Sequence, residues 1–189
     1  MMKRKEKGSC GYIRWQKFYT TIRTILLFAL ALGLYAAGYI TTGTNKNLLT
    51  IIAVLGLLPA SKSMVNMIMF LRYRSVSEDL FEKYEKEKED LVLLYEMILT
   101  TAKQAYFLPV MAYRNRTLCA FCPGSGDLKG LEDHLTEAMK TEHVETFVKI
   151  FPDERLFLDR IQSMRTMTVS DQENKETETV LATLKALSL

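Results

Sequence analysis

Three places in this 189-residue chain combine residue type and spacing in a way that could support chemistry: Cys119-Ala-Phe-Cys122, Gly124-Ser-Gly126, and the pair His134 and His143. Two cysteines separated by two residues suit a redox couple or half of a zinc site. These two fall in a run of strand-forming residues, where positions three apart point to opposite faces. No second pair of Cys or His follows at zinc-ligand spacing, and a thioredoxin-type couple would start at a helix. The expectation is two half-buried core cysteines, with no metal and no cofactor.

Gly124-Ser-Gly126 stands between a strand and a helix, a place where backbone N–H groups can face a phosphate. The segment lacks the third glycine of a dinucleotide fingerprint and the Lys-Ser/Thr of a P-loop, and Asp127 would repel an anion. A Pro-Gly turn with an Asp cap is the expectation, with Gly124, Ser125, Gly126 and His134 as the candidate ligand-binding set. Around the histidines, Glu132, Asp133, Glu137, Glu142 and Glu145 supply carboxylates for general acid–base work. Nine residues apart on a helix, the imidazoles lie ~13 Å apart along its axis and cannot share one metal. No nucleophile-elbow motif accompanies them, so no catalytic residue is assigned.

The elements that must position these residues read as follows. Ser75-Val-Ser-Glu78 has capping-box spacing, and the stripe Leu80, Tyr84, Leu91, Leu94, Ile98 predicts one long helix over 76–105. Residues 107–113 and 117–122 form a β-hairpin about Arg114-Asn-Arg116. Asp127 caps a helix through Leu131, Leu135 and Met139 to about Lys140; 144–151 is a third strand, and 153–164 a helix with Leu156, Phe157, Ile161 and Met164 inward. The polar run 168–179 reads as a linker or exposed turn, and Val180, Leu181, Leu184 and Leu187 form a short docking face. The order α-β-β-α-β-α-α gives an α+β domain over 75–189 with a three-stranded mixed sheet, enough chain for one core.

The chain ahead of this domain has a different character. Mean hydropathy is near zero only because an apolar block at 25–71 offsets a charged remainder. With 9 Gly, 4 Pro and 3 Cys, the chain is neither disordered, collagenous nor a disulfide scaffold. Residues 25–40 carry no charge and, extended to 24–42, are long enough for a ~30 Å hydrocarbon core. A second apolar run covers 48–71 after a polar turn. The predicted organisation is a basic aromatic head at 1–23, a transmembrane hairpin at 24–71 (24–42 and 48–71), and the α+β domain. A cleaved signal peptide fits less well, because the basic region is long and a second apolar segment follows at once.

Orientation follows from the cations. Seven basic residues precede the first helix against one acid, Lys46 alone lies in the turn, and Arg72 and Arg74 follow the second helix, so both termini are expected on the cytoplasmic side. Lys62 sits inside the second span but near its cytoplasmic end, within reach of the headgroups. Arg14, Trp15, Lys17 and Arg23 suit an interface with anionic headgroups, and no nucleic acid is expected. Small residues at intervals of four, Ala29, Gly33 and Ala37 in one helix and Gly56 and Ala60 in the other, allow close packing within the chain or with a second copy.

Asn47-Leu-Leu-Thr50, Leu58-Pro-Ala-Ser-Lys-Ser63 and Asn66-Met-Ile-Met-Phe-Leu71 resemble a family of uncharacterised double-spanning membrane proteins of Gram-positive anaerobes. The likeness continues more loosely through the β-hairpin and third strand. It implies the two-helix architecture and a bacterial plasma membrane. Members are sometimes labelled as resembling an O-linked N-acetylglucosamine transferase, but such transferases use far larger nucleotide-sugar domains, and the resemblance adds no catalytic residue. The expected function is a membrane-anchored interaction or regulatory module presenting its cytoplasmic domain to a protein partner or small ligand. The alternative is a small tethered enzyme acting on a phosphate- or nucleotide-bearing substrate between Gly124 and His134.

Overall fold

The computed structural model describes residues 5–88, 91–124, 126–166 and 173–189. The chain forms two compact units, one of Ile13–Arg74 and the other of Lys5–Tyr12 with Ser75–Leu189.

The first unit is two long apolar helices, α1 (Tyr12–Thr42) and α2 (Leu48–Arg72), both long and apolar enough to cross a membrane. The head expected as a separate piece over 1–23 is instead divided. From Tyr12 onward it is the opening of α1, because residues 12–32 contain no Gly or Pro to stop a helix. Thr20, Thr24, Ala31 and Gly38 on α1 and Ala53, Ala60, Ser63 and Phe70 on α2 are buried, with Leu27, Leu34, Gly56 and Met67 half-buried between them. Their alternating three- and four-residue spacing is the seam of an antiparallel coiled coil. The Thr24 and Ser63 hydroxyls share a buried hydrogen bond of 2.9 Å. Gly38 permits the tight return: a Cβ there would lie 2.7 Å from Asn47 Oδ1 and 2.8 Å from Leu49 Cβ. Asn47 then caps α2, accepting from the Thr50 N–H at 2.8 Å. Ala29, Gly33 and Ala37 face outward, and a Cβ on Gly33 would meet nothing within 4 Å.

The second unit is an α+β domain whose mixed sheet has four strands rather than three. β1 (Val92–Thr100), β2 (Ala105–Arg114), β3 (Thr117–Phe121) and β4 (Phe147–Phe151) lie in that order. The first two pairings are antiparallel and β3–β4 is parallel. The long helix expected over 76–105 is only α3 (Glu78–Lys86), capped by Ser77 rather than Ser75, followed by β1. The apolar stripe named the right residues, since Tyr84, Leu91, Leu94 and Ile98 are all buried. Tyr84 is helical as expected, but Leu94 and Ile98 belong to β1, because 92–100 is apolar on both sides and finds its partner in β2.

Three helices complete the domain: α4 (Leu128–Thr141), α5 (Glu154–Arg165) and α6 (Glu173–Leu187). Residues 173–179, expected in a linker, are the first turns of α6, and the rest of that run lies outside the described residues. Leu156, expected inward, is 54% exposed, one position off the buried stripe Phe157, Ile161 and Met164. Leu131, Leu135, Met139, Val180 and Leu184 of α4 and α6 pack with Leu108, Met111 and Leu118. Tyr84 of α3 and Phe157, Ile161 and Met164 of α5 pack with Tyr95, Val110 and Ala112. The helices therefore cover both faces of the sheet.

Glu96 and Pro109 oppose each other in the β1–β2 register and mark a pivot in both strands. Glu96 has a left-handed φ of 54°, and Pro109 has no N–H for the ladder. Leu94, Met97 and Leu99 consequently join the core under α4 and α6, although a regular strand would send 94 and 97 to opposite faces. Glu96 is 1% exposed, and its Oε1 accepts from the Gly11 N–H at 3.0 Å, the Val76 N–H at 2.9 Å and the Ser75 hydroxyl.

Both sheet edges carry additional contacts. Gly8 and Ser188 bridge to Tyr95 and Leu99 on the outer side of β1. At Gly8, with φ of 87°, a Cβ would lie 2.6 Å from Leu94 Cδ2, so only glycine fits. On β4, the Ile150 N–H donates to Glu132 Oε1 at 2.8 Å, while Lys149 Nζ pairs with the same carboxylate at 3.1 Å.

Candidate functional site

The residues singled out from the sequence are mostly occupied by the fold. Gly124 and Gly126 are exposed on the turn after β3, and Ser125 lies outside the described residues. Asp127 caps α4, its Oδ1 accepting from the Gly130 N–H at 2.8 Å, and Lys103 pairs with it at 3.3 Å. The Gly130 N–H, followed by Lys103, holds the Asp127 carboxyl below the usual range. The amide a phosphate would have used thus serves Asp127, and a Cβ at Gly126 would lie 2.6 Å from Gln104 Nε2. His134 is half-buried between Leu131 and Leu135 on α4, ~10 Å along the axis from the cap. The structure does not bring it to the glycine turn.

His143 has a structural duty. It occupies the left-handed position after α4 with φ of 59°, its N–H donates to the Lys140 carbonyl at 3.0 Å, and the Val144 N–H donates to the Met139 carbonyl at 3.0 Å. These two bonds make a Schellman C-cap in which glycine is the usual occupant. Glu132 is the clamp on the β4 edge. Cys119 and Cys122 are buried free thiols, one in each of the two cores, so they point to opposite faces as the strand spacing predicts. Burial pushes both thiols upward from their ordinary pKa. Among the described residues no group of three or more His, Cys, Asp or Glu is placed to hold a metal ion.

A shallow, open cleft of about 440 Å³ with mixed polar and apolar lining lies at the opposite end of these strands, where β3 and β4 begin. Asn115, Arg116 and Thr117 form one wall, Thr136 and Lys140 of α4 another, and Glu145, Thr146 and Phe147 lead into β4. Asn115 and Arg116 make the two-residue hairpin turn with φ of 44° and 57°, the left-handed pair of a type I′ turn. An arginine in that conformation is unusual, and it is held outward by a bidentate pair: Nε and Nη2 donate to Glu176 at 2.8 and 2.5 Å. The pair raises the Arg116 pKa and lowers that of Glu176. Neither Lys140 nor Glu145 has an ion-pair partner among the described residues. Thr146 Oγ1 is buried there without a hydrogen-bond partner among them. Phe147 is 60% exposed beside the cleft. None of these residues except Glu145 was singled out for chemistry from the sequence, because they come from three separate stretches that only the sheet brings together.

In the first unit, Arg14, Trp15, Lys17 and Arg23 lie on the opening turns of α1. Trp15 stacks on Tyr19 with ring centroids 5.3 Å apart. Tyr19, Ile22, Arg23, Leu26 and Leu27 line an apolar groove of about 320 Å³. Lys62 is exposed on α2, Arg72 is its last residue, and Arg74 follows, also exposed.

Compared with family models, curated proteins and solved structures, the chain finds no match in any of the three.

Proposed function

We propose that this protein is a membrane-anchored interaction or regulatory module: α1 and α2 cross a bacterial plasma membrane as a hairpin, both termini stay cytoplasmic, and the α+β domain is presented to a protein partner or small ligand. The observation that carries the reading is the exposure of large apolar side chains along both helices, including Leu30 at 63%, Ile40 at 80%, Leu48 at 71% and Leu58 at 67%. Water disfavours such surfaces, and a monomer rarely leaves patches of this extent uncovered. At ~1.5 Å per residue, α1 and α2 run ~46 and ~38 Å, more than the ~30 Å hydrocarbon core. The excess accommodates Arg14, Trp15, Lys17 and Arg23 at an interface with anionic headgroups, and the stem of Lys62 reaches toward the same side. The outward stripe Ala29, Gly33 and Ala37 is the face on which a second copy would pack closely, while Gly56 and Ala60 serve the hairpin seam. An enzyme acting between Gly124 and His134 draws no support, because Asp127 takes the cap amide and His134 lies elsewhere on α4.

Cysteine labelling of intact cells producing the full chain tests this reading. A Cys placed at Asn45 should react with an impermeant maleimide, while Cys10, Cys119 and Cys122 should not react. Recovery of the chain in the alkaline-carbonate supernatant, or labelling of the native cysteines, would overturn it.

A further inference from the structure

We propose that the cleft between Arg116, Lys140 and Glu145 is a binding site for a small zwitterion of the free amino-acid type, with its side chain lying against Phe147. This gives the small-ligand arm of the reading above a chemical class, and it stands whether or not the hairpin crosses a bilayer.

The cleft's volume falls within the range of small-molecule sites. Its charges decide the class. Lys140 supplies a cation and Glu145 an anion, both exposed, and neither is spent on an ion pair among the described residues. Two unpaired charges of opposite sign in one concavity match a ligand carrying an ammonium and a carboxylate. A plain anion would face Glu145, and a plain cation would face Lys140, the Arg116 charge being already matched by Glu176. Arg116 adds selectivity: its fork is held by Glu176 through Nε and Nη2, which leaves Nη1 for a carboxylate oxygen. Thr146 Oγ1, buried in the same wall without a partner, gains a hydrogen bond once its rotamer turns to a ligand oxygen or ammonium. The 60% exposed Phe147 ring leaves a large apolar surface beside these polar groups, where an apolar side chain loses water. The ligand end is polar and bipolar, and the tail end is apolar, which is the outline of an amino acid such as phenylalanine.

The test titrates the detergent-solubilised full chain with three probes sharing one ring, L-phenylalanine, 3-phenylpropionate and phenethylamine, followed by the amide signals of an isotope-labelled sample. L-Phenylalanine is expected to bind at least tenfold more tightly than either truncated probe. Lys140→Glu and Glu145→Lys should each weaken it about tenfold, and both are surface changes that leave the core intact. Thr146→Val should weaken it severalfold with no loss of stability, since it removes an unpartnered hydroxyl. Lys103→Glu, at the other end of the strands, should change nothing. Equal binding of 3-phenylpropionate and L-phenylalanine would overturn the assignment in favour of a simple anion site. So would absence of binding by L-phenylalanine at 10 mM, or insensitivity to Lys140→Glu and Glu145→Lys.

Discussion

The two units bury opposite kinds of residue. In the hairpin most of the fully buried seam positions are small, Ala31, Gly38, Ala53, Ala60 and Ser63, with Phe70 the large exception and Leu27, Leu34 and Met67 half-buried, while Leu30, Leu32, Leu55 and Leu58 lie on the outside. In the α+β domain the large side chains are inside, with Tyr84, Tyr113, Phe157, Met97 and Leu131 fully buried. One chain thus follows two packing rules. In the domain, removing apolar area from water drives association of helices with the sheet. In the hairpin, close backbone approach and the Thr24–Ser63 hydrogen bond hold the helices together, and large apolar groups gain nothing from turning inward if their surroundings are equally apolar. The inverted pattern is why the outward leucines support the proposed membrane reading.

Paired substitutions can break this comparison. Leu135→Ala opens a cavity under α4 and should cost about 2–5 kcal/mol of domain stability. Leu32→Ala, at a position 62% exposed, should cost less than about 0.5 kcal/mol, both read by denaturant titration in detergent. Equal losses would show that the hairpin packs like the domain. Glu96→Ala comes next: it strands the Gly11 and Val76 N–H groups and should cost about 3 kcal/mol. Glu96→Gln keeps an acceptor oxygen and should cost distinctly less, and matched losses would mean that the three bonds do not matter. The smallest effect belongs to Asp127→Ala, which removes one helix cap. The native Asp127 pKa lies below its unfolded value, so its contribution is present above about pH 4 and is lost as pH falls through the native value. The difference between wild type and Asp127→Ala should therefore be visible at pH 6 and shrink toward zero in strong acid.

Local chemistry made part of this fold legible. The hairpin about Arg114-Asn-Arg116, the Asp127 cap and the opposed Cys119 and Cys122 follow from turn residues, capping and strand alternation, all short-range signals. β1 was illegible because the pivot at Glu96 and Pro109 breaks strict alternation, leaving apolar spacings that also satisfy a helix. The start of α6 was illegible for another reason. It carries no apolar stripe before Val180, and Glu176 is paired with Arg116, sixty positions away in the chain. The cleft depends on that same kind of long-range placement: Arg116 in a tight turn looks like an ordinary loop cation until β4 comes alongside β3. In the sequence Glu145 stands as a companion of the histidines, and the fold separates those roles.

The three donors that meet on Glu96 have a consequence for how the chain is put together. Gly11 stands immediately ahead of α1 and Ser75–Val76 shortly after α2, yet their amides lie within 3.0 Å of one and the same oxygen. The helical hairpin is therefore an insertion into a domain whose first strand-edge segment, with Gly8, was laid down before it. Cutting the chain at Ser75 would discard part of the fold, whereas replacing residues 13–74 with a short linker would leave both sides of the junction in place, so the domain's true sequence is a spliced one.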